Sequence, residues 1–215
     1  MNKSRLNLIW CDAEFTSLDI KHNAIMQIAM VITTPELDPI LPPGRQDFPN
    51  MLVAITQEQA DHASDWVREN QAALLARCRE AGAIPLAEVE TELRKYVLDC
   101  CEVPTQGARN PEEANNLRRK NPVLAGNSVY NDYQVIERHL PALADLLSYR
   151  LVDASCIKEL VRRWQPSLEF DKTTMAADYL PPSAPSLEGE KHDALYDVWC
   201  SIAELRYYRK VMFGL

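Results

Sequence analysis

Two carboxylates, Asp12 and Glu14, follow an apolar run near the start of the chain and are separated by one residue. Side chains two residues apart in a β-strand point to the same face, roughly 7 Å from each other. Two acids held in this way repel, and a cation between them allows both to stay charged. Hard divalent metals are the natural counter-ions for such oxygens. The pair alone is more typical of a polar strand end, and a metal site is predicted only if other parts of the chain bring further ligands to it.

Further acids occur at two other places where an element ends or begins. Asp132 follows a short apolar strand, and Asp197 lies near the start of the last predicted helix. His192 precedes Asp197 by five residues, a step that turns two side chains about 140° apart on a regular helix. The two can serve one site only if His192 lies in the loop or first turn that leads into the helix. Histidine suits proton transfer near neutral pH because its unperturbed pKa is about 6.5.

The order of elements predicts how these residues are positioned. Three strands come first and helices follow, which favours an antiparallel meander opening an α/β domain. The segment 102–121 is predicted as a surface loop with one helical turn at 111–113, and 165–190 as an exposed loop, because both are rich in proline or polar residues. Strands are predicted at 6–16, 24–33, 51–56, 122–126 and 151–153, and helices at 57–81, 86–100, 133–147, 155–164 and 192–212.

Charge and cysteine content narrow the class of protein. The formal net charge is −8, which argues against a protein that grips long nucleic acid through many phosphates, but not against one that binds a short fragment. The six cysteines have no zinc-ligand spacing, and we expect reduced, mostly buried thiols. No apolar run reaches the roughly 18 residues of a membrane span, and the acids near the N-terminus exclude a secretory signal. We therefore expect no membrane partner and a cytoplasmic location, with the mitochondrial matrix as the alternative.

Three motifs together resemble a known family. Residues 9–19 are similar to the first motif of the DEDD exonuclease superfamily, in which the pattern D-x-E-x-T-x-L-D is typical. Residues 126–132 resemble the second motif, and 192–197 resemble the third in its histidine form, H-x-A-x-x-D. The stretches 149–164 and 203–209 add similarity to the oligoribonuclease family. The chain is thus identified, from about residue 6 to residue 210, as a member of the DEDDh exonucleases.

The resemblance implies a fold and a chemistry. The fold is the ribonuclease H-like three-layer α/β fold, with a five-stranded mixed sheet flanked by helices. A single exonuclease domain spans 1–215, with loop insertions near 35–50, 102–121 and 168–190. His192 is implied to be the general base that takes a proton from the attacking water. Two divalent ions, Mg²⁺ or Mn²⁺, are implied to be held by four carboxylates: Asp12, Glu14, Asp132 and Asp197.

Substrate contacts also follow from the resemblance. Leu18 is implied to stack on a terminal base, and Trp66 to line the base pocket, with ordinary packing as the alternative for both. The far phosphate is implied to contact Ser128, Arg150 and Ser155, and a simple helix N-cap is the alternative for Ser155. Tyr149 and Arg150 are implied to come from the partner of a homodimer. One departure concerns the base pocket, since Gln71 stands where the family has a histidine.

The predicted activity is 3′→5′ exonucleolytic cleavage of short oligoribonucleotides to nucleoside 5′-monophosphates. Fragments from dinucleotides to about five nucleotides carry few phosphates, so the acidic charge of the chain is compatible with them. Two alternatives stay open. One is an exonuclease of the same superfamily that acts on DNA or longer RNA, and the other is a catalytically silent member that serves as a scaffold.

Overall fold

The structure, a computed structural model, describes residues 3–185, 187 and 193–215. Within them, one mixed sheet has the strand order β3-β2-β1-β5-β6, and β4 pairs with β2. β1 is antiparallel to β2 and parallel to β5, which is in turn parallel to β6. The predicted α/β architecture is confirmed. The strands are β1 Leu8–Phe15, β2 Ile25–Thr33, β3 Pro39–Ile40, β4 Asn50–Leu52, β5 Val123–Gly126 and β6 Leu151–Asp153.

Helices cover the sheet and fill the connections between its strands. Two short 3₁₀ helices, Pro104–Gly107 and Pro166–Leu168, accompany the α-helices. No helix in the described part of the chain is both long and apolar enough to cross a membrane. The α-helices are α1 Gln57–Asp61, α2 Asp65–Asn70, α3 Ala72–Arg77, α4 Leu86–Cys100, α5 Pro111–Arg118, α6 Tyr130–His139, α7 Pro141–Ala144, α8 Ala154–Trp164, α9 Lys172–Tyr179 and α10 Ala194–Phe213.

β1 is the central strand and is covered on both faces. Ile9 and Cys11 pack into one apolar cluster with α4, whereas Trp10 packs into another with Val198 and Ile202 of α10. Because side chains alternate along a strand, the even-numbered residues that follow Trp10 also face α10. This alternation directs the acids of β1 toward the helix that carries Asp197.

Gly126 lets the parallel strands approach each other at the site. A Cβ atom at this position would lie 2.9 Å from the carbonyl oxygen of Cys11 in β1. Two residues later Ser128 has a positive φ of 51°, and the chain turns into α6. β5 therefore ends next to the acids of β1, and α6 starts there.

The helix predicted at 57–81 is wrong in detail, because it is divided into α1, α2 and α3. Thr56 forms a capping box at the start of α1. Ser64 caps α2 by accepting a hydrogen bond from the backbone N–H of Val67. Such local side-chain bonds compete with helix continuation.

The helix predicted at 133–147 is also divided. α6 begins three residues earlier, at Tyr130, and ends at His139, while α7 starts with Pro141. Proline lacks the N–H that would continue the earlier helix. Asp132 consequently lies in the first turn of α6 rather than in the turn before it.

Two predicted loops contain helices. In 165–190, Asp171 caps α9 by accepting from the N–H of Thr173, and the neighbouring Phe170 is buried against Tyr207 of α10. In 102–121, α5 runs on for eight residues after its cap Asn110. These predictions were wrong because polar, proline-containing sequence can still cap and start a helix.

Candidate active site

Three carboxylates meet where β1 faces the start of α10. One oxygen from each of Asp12, Glu14 and Asp197 lies within 4.8 Å of the other two. Asp197 occupies the first turn of α10, where the helix dipole favours a negative charge. These three of the four predicted ligands therefore form one cluster, which we call the acid cluster.

Asp132, the fourth predicted ligand, lies beside the acid cluster. Its side chain is buried, and its Oδ1 accepts a 2.9 Å hydrogen bond from the backbone N–H of Ala13. Burial raises the pKa of Asp132 to about 8, although the bond from Ala13 opposes the shift. α6 thus brings its acid against the backbone of β1, between the two acids of that strand.

The electrostatics of the cluster fit a bound cation. Burial, followed by the charges of Asp132 and Glu14, raises the pKa of Asp12 well above its ordinary value. Burial also raises the pKa of Glu14, and a hydrogen bond from Gln71 opposes it. Carboxylates that resist ionisation because they are buried and lie close to one another are stabilised in the charged form by a divalent ion between them.

Gln71 is a site residue that the sequence did not assign a role. It is only 5% exposed, and its Nε2 donates to Oε2 of Glu14. Its Oε1 is buried and accepts no hydrogen bond from any described residue. The only signal in the sequence was that this position departs from the family.

Lys172 is a second residue that sequence reasoning missed. Its Nζ lies 2.6 Å from Oδ1 of Asp197, and the two side chains are 32% and 16% exposed. Lys172 is the first residue of α9, which we predicted as loop. Nothing in the local sequence indicates an ion pair that spans 25 residues.

The start of α10 is fixed by hydrogen bonds that reach β2. Asp193 caps the helix by accepting from the N–H groups of Leu195 and Tyr196. Its Oδ2 also accepts a 3.1 Å bond from Nε2 of the buried Gln27, which in turn donates to Asn50. His192, the predicted general base, immediately precedes this anchored cap and lies outside the described residues.

Leu18 and Trp66 line one cavity beside the acid cluster. The cavity has a volume of ≈ 230 Å³ and also contacts Glu14 and Gln71. Leu18 is 81% exposed and Trp66 is 49% exposed. Both side chains are therefore presented at a pocket next to the acids, and their contact with a base stays a prediction.

Ser128 and Ser155 are brought together by the parallel pairing of β5 and β6. The backbone N–H of Ser128 donates to Oγ of Ser155 at 2.8 Å and to Oδ1 of Asp153 at 3.0 Å. The N-cap of α8 is Asp153, so the N-cap interpretation of Ser155 is wrong. Ser155 Oγ instead donates to Oδ1 of Asn127.

Tyr149 and Arg150 lie just before β6 and are exposed. The guanidinium carbon of Arg150 lies 5.8 Å from the centre of the Tyr149 ring, close enough for a cation–π contact. The two side chains form one exposed unit, and their contact with substrate stays a prediction.

The central strand carries two acids that face a third on a covering helix, within a ribonuclease H-like fold that solved structures share. E. coli Exonuclease I in complex with an oligonucleotide matches 99% of this chain and 42% of its own, with 15% identity and a TM-score of 0.59. The Mg²⁺- and Mn²⁺-bound form of S. pombe Pop2p matches 96% of this chain and 84% of its own, with 12% identity and a TM-score of 0.59.

Sequence comparison gives the family. The mitochondrial oligoribonuclease of Mus musculus is 31% identical over 96% of this chain and 73% of its own length. The oligoribonucleases of Leifsonia xyli and Pseudomonas savastanoi are 32% and 31% identical, over 87% and 97% of their lengths. No protein-family model matches the chain. The chain belongs to the oligoribonuclease family, which confirms the resemblance carried by the three motifs.

Proposed function

We propose that this chain is a metal-dependent 3′→5′ exoribonuclease that hydrolyses short oligoribonucleotides to nucleoside 5′-monophosphates. The observation that carries the proposal is the acid cluster of Asp12, Glu14 and Asp197 in a member of the oligoribonuclease family. Residues 1–215 are proposed to act as a single exonuclease domain.

The metal ligands are proposed to be Asp12, Glu14 and Asp197, with Asp132 as the fourth. Their all-oxygen donor set fits Mg²⁺ or Mn²⁺. Two such ions, when bound, would stabilise the charge on the attacking and leaving oxygens of the phosphodiester. The raised pKa values of Asp12 and Asp132 support this assignment, because burial and then the neighbouring carboxylates disfavour their charged forms, and a bound cation would stabilise those forms.

His192 is proposed as the general base, with an imidazole nitrogen taking the proton of the attacking water. Support comes from its position in the chain, since the next residue is the cap of α10 that Gln27 anchors to β2. Asp197 lies one turn further on in the same helix. An anchored helix start suits a base that must stay in register with the acids.

The substrate is proposed to lie between two ends of the site. Its terminal base would enter the cavity between Leu18 and Trp66, next to Glu14. Its far phosphate would meet the hydroxyl groups of Ser128 and Ser155, which are 3.3 Å apart. A fragment bounded at both ends in this way is short and carries few phosphates, which agrees with the net charge of −8.

The enzyme is proposed to be a homodimer whose partner supplies Tyr149 and Arg150 to the far phosphate. Support comes from α8, which follows these residues and exposes Leu160 and Trp164 by 39% and 74%. Residues four apart lie on one helix face, so the two form an apolar stripe. An exposed stripe of this kind is typical of an interaction surface.

A reducing compartment, the cytoplasm or the mitochondrial matrix, is part of the proposal. All six cysteines lie in the described residues and are free thiols, and five of them are buried. The related mouse protein is named as mitochondrial.

One assay tests the activity. Wild type and Asp12→Ala would be incubated with Mg²⁺ and with dinucleotides and about 20-nucleotide strands of RNA and DNA. We expect the wild type to cleave the RNA dinucleotide faster than the other substrates. Asp12→Ala should cleave it at least about 100-fold more slowly than wild type, because the central acid of the cluster is gone. A preference for the long DNA would replace the oligoribonuclease proposal with a DNA exonuclease. Failure to cleave any substrate would favour a silent scaffold.

A further inference from the structure

A positive side chain of the protein itself already neutralises one acid of the proposed metal site. The ammonium of Lys172 lies 2.6 Å from Oδ1 of Asp197. Asp197 shares the acid cluster with Asp12 and Glu14, whose carboxyl groups also feel the charge of Lys172. The acid cluster therefore has an internal counter-ion.

Buried packing next to Lys172 holds this counter-ion in place. Two residues earlier, Phe170 is 1% exposed and contacts the rings of Tyr179 and Tyr207. Four residues later, Ala176 is equally buried in the same apolar cluster, which also includes Tyr208 of α10. α9 is thus fixed to the helix that carries Asp197, and the ion pair is a feature of this packing rather than a chance surface contact.

Only the end of the lysine side chain needs to move for the pair to open. Its stem has four flexible carbons, and the side chain is 32% exposed, so the ammonium has a path to solvent. A divalent ion at Asp197 and the ammonium at Oδ1 repel each other at such short range. Binding of the ion is therefore coupled to departure of the ammonium.

We propose that Lys172 is a tethered competitor of the divalent ion at Asp197, so that it sets the metal concentration at which the site fills. The inference rests on the proposed metal site and adds a role for α9. The lysine stabilises the acids when no ion is bound and withdraws when one binds. Its removal should leave a site that binds metal more tightly and is less stable without it.

Direct metal binding tests the inference in the absence of substrate. The full-length chain would be stripped of metal and titrated with Mn²⁺, following free Mn²⁺ by electron paramagnetic resonance. We expect Lys172→Gln to bind Mn²⁺ about fivefold more tightly than wild type, the factor that corresponds to an ordinary partly exposed ion pair. Lys172→Met, which keeps the apolar stem, should behave in the same way, and Lys172→Arg should stay close to wild type. Lys120→Gln is the matched control, because it removes the same charge from an exposed position outside the ion pair.

Thermal unfolding gives a second readout on the same variants. Without metal, Lys172→Gln should melt below wild type because its acids have lost their counter-ion. The same saturating concentration of Mn²⁺ should raise its Tm by more than it raises that of wild type, since stabilisation by a ligand grows with the logarithm of its concentration divided by its Kd. Equal or weaker Mn²⁺ binding by Lys172→Gln and Lys172→Met would overturn the inference alone. Absence of Mn²⁺ binding in every variant, wild type included, would overturn the proposed metal site and the inference together.

Discussion

Single side chains outside the predicted motifs complete the acid cluster. Gln71 donates to Glu14, and Lys172 pairs with Asp197. The four acids themselves were predictable, because three motifs in order along the chain resemble those of the exonuclease family. Their partners were not, because these contacts join residues that are far apart in sequence and depend on how α3 and α9 pack.

Gln71 is expected to act as a positioning residue for Glu14. Gln71→Leu keeps the volume but removes the donor, so Glu14 loses a hydrogen bond that holds its carboxylate toward the cluster. Bonds to charged groups contribute about 1.5–3 kcal/mol, which predicts a loss of about tenfold or more in kcat/KM for an RNA dinucleotide. Initial rates over a range of substrate concentrations measure it.

The control for this variant is Gln106→Leu, at an exposed glutamine in the 102–121 segment. It should retain wild-type kcat/KM. If Gln71→Leu kept full activity at limiting Mg²⁺ as well as at saturating Mg²⁺, Gln71 would not position Glu14.

The raised pKa of Asp132 predicts that the stability of the metal-free protein depends on pH. Burial holds the pKa of Asp132 near 8, above its value of about 4 in an unfolded chain. The folded state thus binds the proton more tightly, so this contribution to stability is complete below pH 4 and is lost as the pH rises towards 8. In EDTA, wild type should therefore lose more stability between pH 5.5 and 8.5 than Asp132→Asn, whose side chain keeps an oxygen for the N–H of Ala13.

Melting curves at the two pH values measure this difference. Between pH 5.5 and 8.5, we expect the Tm of wild type to fall by at least about 3 °C more than that of Asp132→Asn, or ~1 kcal/mol for a chain of this size. Saturating Mg²⁺ should reduce this difference, because the cation stabilises the charged carboxylates. If the Tm values of wild type and Asp132→Asn fell equally with rising pH in EDTA, the assignment of the raised pKa to Asp132 would be contradicted.

At the scale of elements, β1 positions two of the acids, and the starts of α6 and α10 position the other two. The sequence predicted β1, β2, β5, β6 and α4 closely, since each has a regular apolar pattern and a clear end. It did not predict the division of 57–81 or the helix α9, because these depend on caps such as Ser64 and Asp171 and on burial of Phe170 against α10. Contacts of this kind are decided by tertiary packing rather than by local propensity.

Gly126 is expected to be required for the close approach of β5 to β1. Gly126→Ala places a Cβ 2.9 Å from the backbone oxygen of Cys11, and backbone cannot move away as a side-chain tip would. We expect a loss of about 1–3 kcal/mol in the free energy of unfolding, measured by urea denaturation. Gly82→Ala is the matched control, because no described atom lies within 4 Å of its added Cβ. Similar stability of both variants would show that β1 and β5 can separate without cost.

At the scale of the whole molecule, the proposed dimer joins the apolar stripe of α8 to the substrate site. If the partner supplies Arg150, a variant that cannot dimerise should have the same defect as Arg150→Ala. Trp164→Glu places a charge at a tryptophan that is 74% exposed, so the monomer fold should be unaffected. We expect it to sediment as a monomer and, like Arg150→Ala, to lose far more activity on the RNA dinucleotide than on longer RNA, because a longer strand has other phosphates to bind.

Leu6→Glu is the control for this variant, because Leu6 is 65% exposed but lies before β1 rather than on α8. It should remain a dimer and keep both activities. Sedimentation equilibrium gives the mass of each variant, and rates on the two substrates give the ratio of activities. If Trp164→Glu were monomeric but kept the wild-type ratio of dinucleotide to longer-RNA activity, Arg150 would act in the same subunit as the acids. If wild type itself were monomeric, the dimer would have no part in the mechanism.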